Sequence, residues 1–176
     1  LKRGRLDGAS AALRQARRGK THAWIEALRG EAAARLGRAD EASSLFDRAL
    51  RLDPGEDLAR LGRLRLRELR GDMTGALEDV ELALKADGAS AGLFLRRGRI
   101  LMSLGRMSDA EADASSALAI HGQYAEAFYL RGLARLDLGR RSLALSDLQA
   151  AVKLAPERED FRLECESAIK KRINNM

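Results

Sequence analysis

Apolar residues along this chain return every three or four positions, with charged residues between them, in stretches of about 13 to 15 residues. That spacing belongs to an amphipathic helix, which turns one apolar stripe away from water. It predicts helices over 22–36, 39–52, 57–70, 73–86, 90–104, 107–120, 124–138 and 141–154. A last helix is expected over 159–175, with Phe161, Leu163, Ala168 and Ile169 on one side.

The pattern also repeats as a whole. Gly37, Gly71, Gly105 and Gly139 are each 34 residues apart, as are Ala42, Ala76, Ala110 and Ala144, and again Ala49, Ala83, Ala117 and Ala151. A period in this range marks an array of stacked helical or strand units. Each part of the repeat has a physical reason. Glycine at the end of a first helix can adopt the left-handed backbone that stops it. Three residues later stand Asp40, Thr74, Ser108 and Ser142, and Asp7 follows Gly4 at the same distance. Their side-chain oxygens can accept the free amides of a new helix, so they are expected as N-caps, and Ser108 with Glu111 has capping-box spacing. The alanines let helix axes approach closely. Pro54 and Pro156 close the second helices, with Gly88 and Gly122 in the same place between them.

The chain therefore reads as one array over 1–176, with full repeats at 23–56, 57–90, 91–124 and 125–158 and a capping helix over 159–175. A polar outer face suits such a cap. Residues 1–22 read as a partial repeat, and since Gly4 and Gly37 are 33 residues apart that unit is one residue short. Within it Leu6 to Arg18 are expected as a helix without a hairpin partner, exposing Leu6, Ala9, Leu13 and Ala16. Further repeats before Leu1, or another chain, are expected to cover that stripe, and self-association through it is one form of the second option. Asn174, Asn175 and Met176 are expected to fray.

These features resemble the tetratricopeptide repeat family. The matching residues are Gly30, Gly98 and Gly132 at the eighth place, the recurrent alanines, and the residue between them (Phe46, Val80, the small Ala114, Leu148). Phe94 and Phe128 stand at the aromatic place, and a proline closes the unit. Leu64 departs from the glycine, Arg60 and Glu26 from the aromatic residue, and Trp24 stands two places early. The resemblance implies an all-α fold, a right-handed superhelical solenoid of stacked antiparallel helical hairpins. It also implies that the first helices line a concave groove that binds a protein or peptide partner.

The groove residues so implied are Trp24, Leu58, Leu61, Arg65, Leu95, Arg96, Arg99, Met102, Tyr129, Leu133 and Leu136, with Ala27, Glu31, Glu68 and Glu126 beside them. Leu61, Leu95 and Tyr129 are the expected apolar anchors. Arg65, Arg96 and Arg99 would orient an acidic segment, because a guanidinium offers a two-pronged donor to a carboxylate. Some members of the family clamp a C-terminal carboxylate with Lys, Asn and Arg. Here Glu31, Arg65, Arg99 and Leu133 stand where the asparagines would be, so that activity is not carried over.

Charge changes the picture little. The chain has a net charge of +6 and a pI near 10.0. Residues 1–22 alone hold seven Lys or Arg against one Asp, and the remaining 25 basic and 25 acidic residues cancel. A nucleic-acid footprint should run along a binding face, so nucleic acid is not an expected partner. One cysteine, no signal-peptide core and no apolar run of membrane length point to a cytoplasmic protein without membrane insertion. His22, His121 and Cys165 are scattered, and no metal or phosphate-loop spacing occurs, so no catalytic residue, metal or cofactor is expected. Asp109, Glu111 and Asp113 read as a solvated helix face. The Arg, Ala and Leu content suits a GC-rich bacterial genome. The expected function is a non-enzymatic interaction scaffold. The alternatives are a regulatory or assembly segment of a larger enzyme, and a self-association module.

Overall fold

The computed structural model describes residues 22–88 and 90–173. Among them the chain is all-α: α1 (22–35), α2 (Ala39–Leu52), α3 (Asp57–Leu69), α4 (Met73–Asp87), α5 (Ala91–Ser103), α6 (Met107–Ile120), α7 (Ala125–Asp137), α8 (Arg141–Leu154) and α9 (Glu159–Ile173). Each agrees with the spacing-based expectation to within two residues. The expectations for the helix Leu6 to Arg18 and for Asn174 to Met176 fall outside the described residues.

The hairpin turns explain one difference from that reading. Gly37, Gly71, Gly105 and Gly139 have φ between 74° and 77°, the left-handed region that glycine enters without strain. The turn folds back on the helix it ends. Gly37 N–H donates to the Ala34 carbonyl at 3.0 Å and Arg38 N–H to Ala33 at 2.9 Å; Gly105 and Arg106 repeat this on Met102 and Leu101 at 3.0 and 2.8 Å. Two orphan carbonyls are thereby satisfied, and one residue after the glycine is enough to start the next helix. The N-caps are therefore Arg38, Arg106 and Arg140, without a side-chain cap bond. Asp40, Ser108 and Ser142, expected as caps, lie inside the first turn, and no Ser108–Glu111 capping box forms at α6. At α4 a side chain does cap the helix, but it is Asp72, not Thr74: the Gly75 amide donates to Asp72 Oδ1 at 2.9 Å.

The chain divides into two compact units, Leu1–Asp79 and Val80–Met176. In the first, Phe46 is wholly buried between two glycines on neighbouring helices. A Cβ at Gly30 would stand 2.6 Å from its ring, and one at Gly62 2.3 Å away. The close approach in α3 thus uses Gly62, and Leu64, where the family has glycine, is itself a fully buried core residue.

In the second unit α5, α7 and α9 lie side by side, and each is joined to the next through α6 or α8. The space above Gly98 is filled by Leu130, and the space above Gly132 by Leu148, with contacts of 2.7 and 2.9 Å to a would-be Cβ. Leu130 shares its cluster with the small Ala114, the counterpart of Phe46 two repeats on. Large and small residues have changed partners between repeats, and interior density is kept.

Candidate functional site

Three buried aspartates are the most regular polar feature. Asp79, Asp113 and Asp147 are each 34 residues apart and at most 3% exposed. Arg63, Arg97 and Arg131, with the same period, each grip one of them with two parallel bonds. The Nε and Nη2 distances are 3.1 and 2.6 Å at Asp79, 2.8 and 2.6 Å at Asp113, and 2.9 and 2.8 Å at Asp147. Each rung ties the first helix of a hairpin to its second. A carboxylate taken from water needs such complete satisfaction. Arg97 and Arg131 also lie over the rings of Phe94 and Phe128, at 5.6 and 5.4 Å.

This corrects the solvated reading of the acidic run in α6. Asp113 is a buried rung, and Glu111 accepts from Arg135 at 2.8 Å and from Arg140. Arg135 reaches on to Asp147 at 2.7 Å, so one charge network joins α6, α7 and α8. The period of these Arg and Asp residues was open to inspection in the sequence, but only their spacing of 16 with the hairpin geometry reveals the pairing.

The expected groove residues fall into three kinds. Leu95 and Leu136 are core: they are 4% and 9% exposed, packed in clusters with Ala114 and Ala117 of α6 and with Ala144 and Leu148 of α8 respectively. They are removed from the candidate surface, as is Ala27. Leu58, Leu61, Met102, Tyr129 and Leu133 are half-buried, with one side against the core and one toward solvent. Tyr129 meets the Phe161 ring edge-on at 5.3 Å. Trp24, Arg65 and Arg99 are exposed, and Arg96 is half-buried.

The exposed cations are not equivalent. Arg65 donates to Glu31 at 2.7 Å, and Glu31 also accepts from Arg35 at 2.9 Å. The Arg35 bond, the largest effect, holds the Glu31 carboxyl below its ordinary pKa; desolvation pushes back, and the Arg65 bond and the two arginine charges keep the balance lowered. Arg99 makes no side-chain hydrogen bond or ion pair among the described residues, while its charge acts on Glu126 of α7. Burial pushes the Glu126 carboxyl up. The Arg158 bond, a backbone bond and the charges of Arg158 and Arg99 outweigh it and leave the pKa lowered. Arg158 in turn lies over Phe161 at 4.7 Å. In the second unit, therefore, Arg99, Glu126, Tyr129 and Arg158 form a mixed aromatic and charged surface along α5, α7 and the start of α9, with the buried Phe161 beneath Tyr129 and Arg158. Arg158 was not singled out from the sequence, because its contact with Glu126 spans 32 residues, and the sequence places Phe161 only on the apolar side of the last helix.

The remaining candidates are accounted for simply. Cys165 is fully buried, and its thiol is raised to about 11 by desolvation first and by Glu164 second. His121 ends α6 at an exposed place beside Tyr124, with ring centroids 5.6 Å apart. Among the described residues no group of three His, Cys, Asp or Glu is placed to hold a metal, and no helix is long and apolar enough to cross a membrane. An open cleft of about 480 Å³ lies over Glu81, Leu84, Lys85, Phe94 and Arg97.

Comparison with known proteins agrees with this architecture. The sequence model of the tetratricopeptide repeat matches residues 27–92 and 95–160. No curated protein matches the chain by sequence. Among solved structures, YrrB, described as a TPR protein with an unusual peptide-binding site, superposes with a TM-score of 0.67 at 21% identity, over 83% of this chain and 75% of that one. MamA from Desulfovibrio magneticus RS-1 gives 0.72 at 19% identity, over 87% and 94%. PilF of Pseudomonas aeruginosa gives 0.70 at 18% identity, over 89% and 71%. At these identities the likeness concerns the fold.

Proposed function

We propose that this chain, which belongs to the tetratricopeptide repeat family, is a non-enzymatic scaffold that holds a peptide or helix of a partner protein against its first helices. The observation that carries this reading is Arg99. It is an exposed guanidinium without a side-chain partner among the described residues, on the same layer as the half-buried Met102, Tyr129 and Leu133. Half-buried apolar groups beside an exposed cation suit a ligand with an apolar anchor and an acidic residue. Arg96 stands three residues before Arg99 on α5 and would widen the cationic edge. In the first unit Trp24, Leu58 and Leu61 offer apolar surface, but an acidic ligand there must compete with Glu31 for Arg65. The peptide-binding site named for YrrB lends the reading support by analogy.

The test is selection of ligands from a fluorescent peptide library containing acidic residues, followed by titration of Arg99→Ala/Tyr129→Ala. Peptides selected by the parent chain should lose roughly 30-fold or more in affinity, the factor for one binding hot spot, with the helical circular dichroism unchanged. Equal affinity in the folded double variant overturns this reading.

A further inference from the structure

We propose that the cleft between α4 and α5 is a second interaction site, which takes a carboxylate next to an aliphatic side chain on an acidic segment of a partner protein. The cleft has a volume of about 480 Å³ and is lined by Glu81, Leu84, Lys85, Phe94 and Arg97, all in the second unit. Arg97 stands two positions from Arg99, about 200° around α5. This site therefore looks away from the surface of Arg99 and Tyr129.

Matching junctions along the chain show why this one is open. Between α6 and α7, Leu118, Tyr124 and Phe128 stand 34 residues after Leu84, Ser90 and Phe94. There Tyr124 packs with Leu118 against the cluster that holds Ala117 and Ala127. Ser90, in the place of Tyr124, brings no ring. Both are N-caps with extended backbone and no side-chain cap bond. Between α2 and α3 the place of Phe94 is held by Arg60, which is 5% exposed and turns to Asp57 and the Pro54 carbonyl. Between α4 and α5 neither device is present, and the Phe94 ring and Leu84 line open space.

Donors are left over on the wall of the cleft. Arg63 uses three guanidinium nitrogens, Nε and Nη2 on Asp79 and Nη1 on Asp47 at 3.0 Å. Arg131 repeats the pattern, with Nη1 3.5 Å from Ser115 Oγ. Arg97 spends Nε and Nη2 on Asp113, but Glu81, in the place of Asp47, acts on it through charge without a hydrogen bond. Nη1 thus has no side-chain partner among the described residues, and about a quarter of the Arg97 side chain is exposed. Lys85, one turn from Glu81, is exposed and makes no hydrogen bond or ion pair among the described residues. Two cationic donors beside a ring and a leucine suit a carboxylate with an aliphatic neighbour. Glu81 repels densely charged anions, so a phosphate backbone fits less well. Leu82, one turn before Lys85, is 48% exposed and continues the apolar surface along α4, which suits an extended segment.

The test is an amide NMR titration of the isotope-labelled full chain with the tripeptide acetyl-Leu-Glu-Leu-amide. Shifts are expected at Leu84, Lys85, Phe94 and Arg97. Acetyl-Leu-Gln-Leu-amide should bind about tenfold more weakly, the scale of a lost charge-assisted bond. Ser90→Tyr should abolish binding, because it places a ring where Tyr124 places one. Arg99→Ala/Tyr129→Ala, which ends binding in the reading above, should leave it unchanged, so each proposal can fail without the other. Absence of shifts, shifts confined to the Arg99 and Tyr129 surface, or equal affinity in a folded Ser90→Tyr variant overturns the proposal. Equal affinity for isocaproate assigns the cleft to a small acid and overturns it too. Should Ser90→Tyr fail to fold, Lys85→Glu, at an exposed place, should weaken the acidic tripeptide at least about tenfold, and unchanged affinity excludes the site.

Discussion

Single residues decide the stability of this protein mostly through paired charges. Asp113 is almost sealed from water, while Arg97 keeps about a quarter of its side chain exposed. Removing one member of such a pair leaves the other stranded. Asp113→Ala is expected to lower the unfolding free energy by about 3 kcal/mol, the low end for a buried pair because Arg97 can still reach solvent. Replacing both, Arg97→Met with Asp113→Leu, should recover most of that loss, as read from urea unfolding. A second expectation concerns pH. Glu31 and Glu126 have folded-state pKa values lowered from 4.5, so the unfolded chain binds more protons around that value. Their stabilisation is present at neutral pH and is lost as pH falls through and below the ordinary carboxylate pKa. Glu31→Gln/Glu126→Gln should be less stable than the parent at pH 7 and lose less between about pH 5 and pH 3.

Helices and turns were the most legible part of the sequence, because their causes are local. The glycine series announced left-handed turns, and all four glycines adopt them. The same local logic misjudged the N-caps, because it could not weigh the fold-back bonds that start each second helix earlier. Two glycine substitutions separate conformational strain from steric conflict. Gly105 has φ of 76° and open space around a would-be Cβ, so Gly105→Ala carries only the left-handed penalty, about 1–2 kcal/mol. At Gly62 a Cβ would meet the Phe46 ring at 2.3 Å, so Gly62→Ala must displace a buried aromatic and should cost more. Adding Phe46→Leu should relieve Gly62→Ala and not Gly105→Ala, a comparison that thermal melts of the four variants can make.

For the molecule as a whole, the family and the hairpin order were readable from one period, but the working surface was only partly so. First-helix membership nominated Leu95 and Leu136 together with Arg99 and Tyr129. Only the hairpin geometry separates core from surface, since a register uncertainty of one residue moves a side chain by about 100° around the helix. The charge network escaped because its partners lie 12 to 34 residues apart and none is unusual alone. Net charge also has a local origin at this scale. Retention on heparin is expected to come from residues 1–22, because the rest of the chain is electrically balanced. Replacing Lys2, Arg3, Arg5, Arg17 and Arg18 with glutamine should abolish it, and retention that survives would place a cationic stripe elsewhere.

The Arg–Asp rungs bear on how such a molecule can change length. Arg63 and Asp79 belong to one hairpin, as do Arg97 and Asp113 and again Arg131 and Asp147, so each of the blocks 57–90, 91–124 and 125–158 carries both ends of its own bond. Copying the block 91–124 in tandem would deliver donor and acceptor together and strand neither inside the longer protein. Growth by gene duplication, or by an engineer's insertion, would therefore leave every rung whole, whereas a cut taken between the two helices of a block would split one.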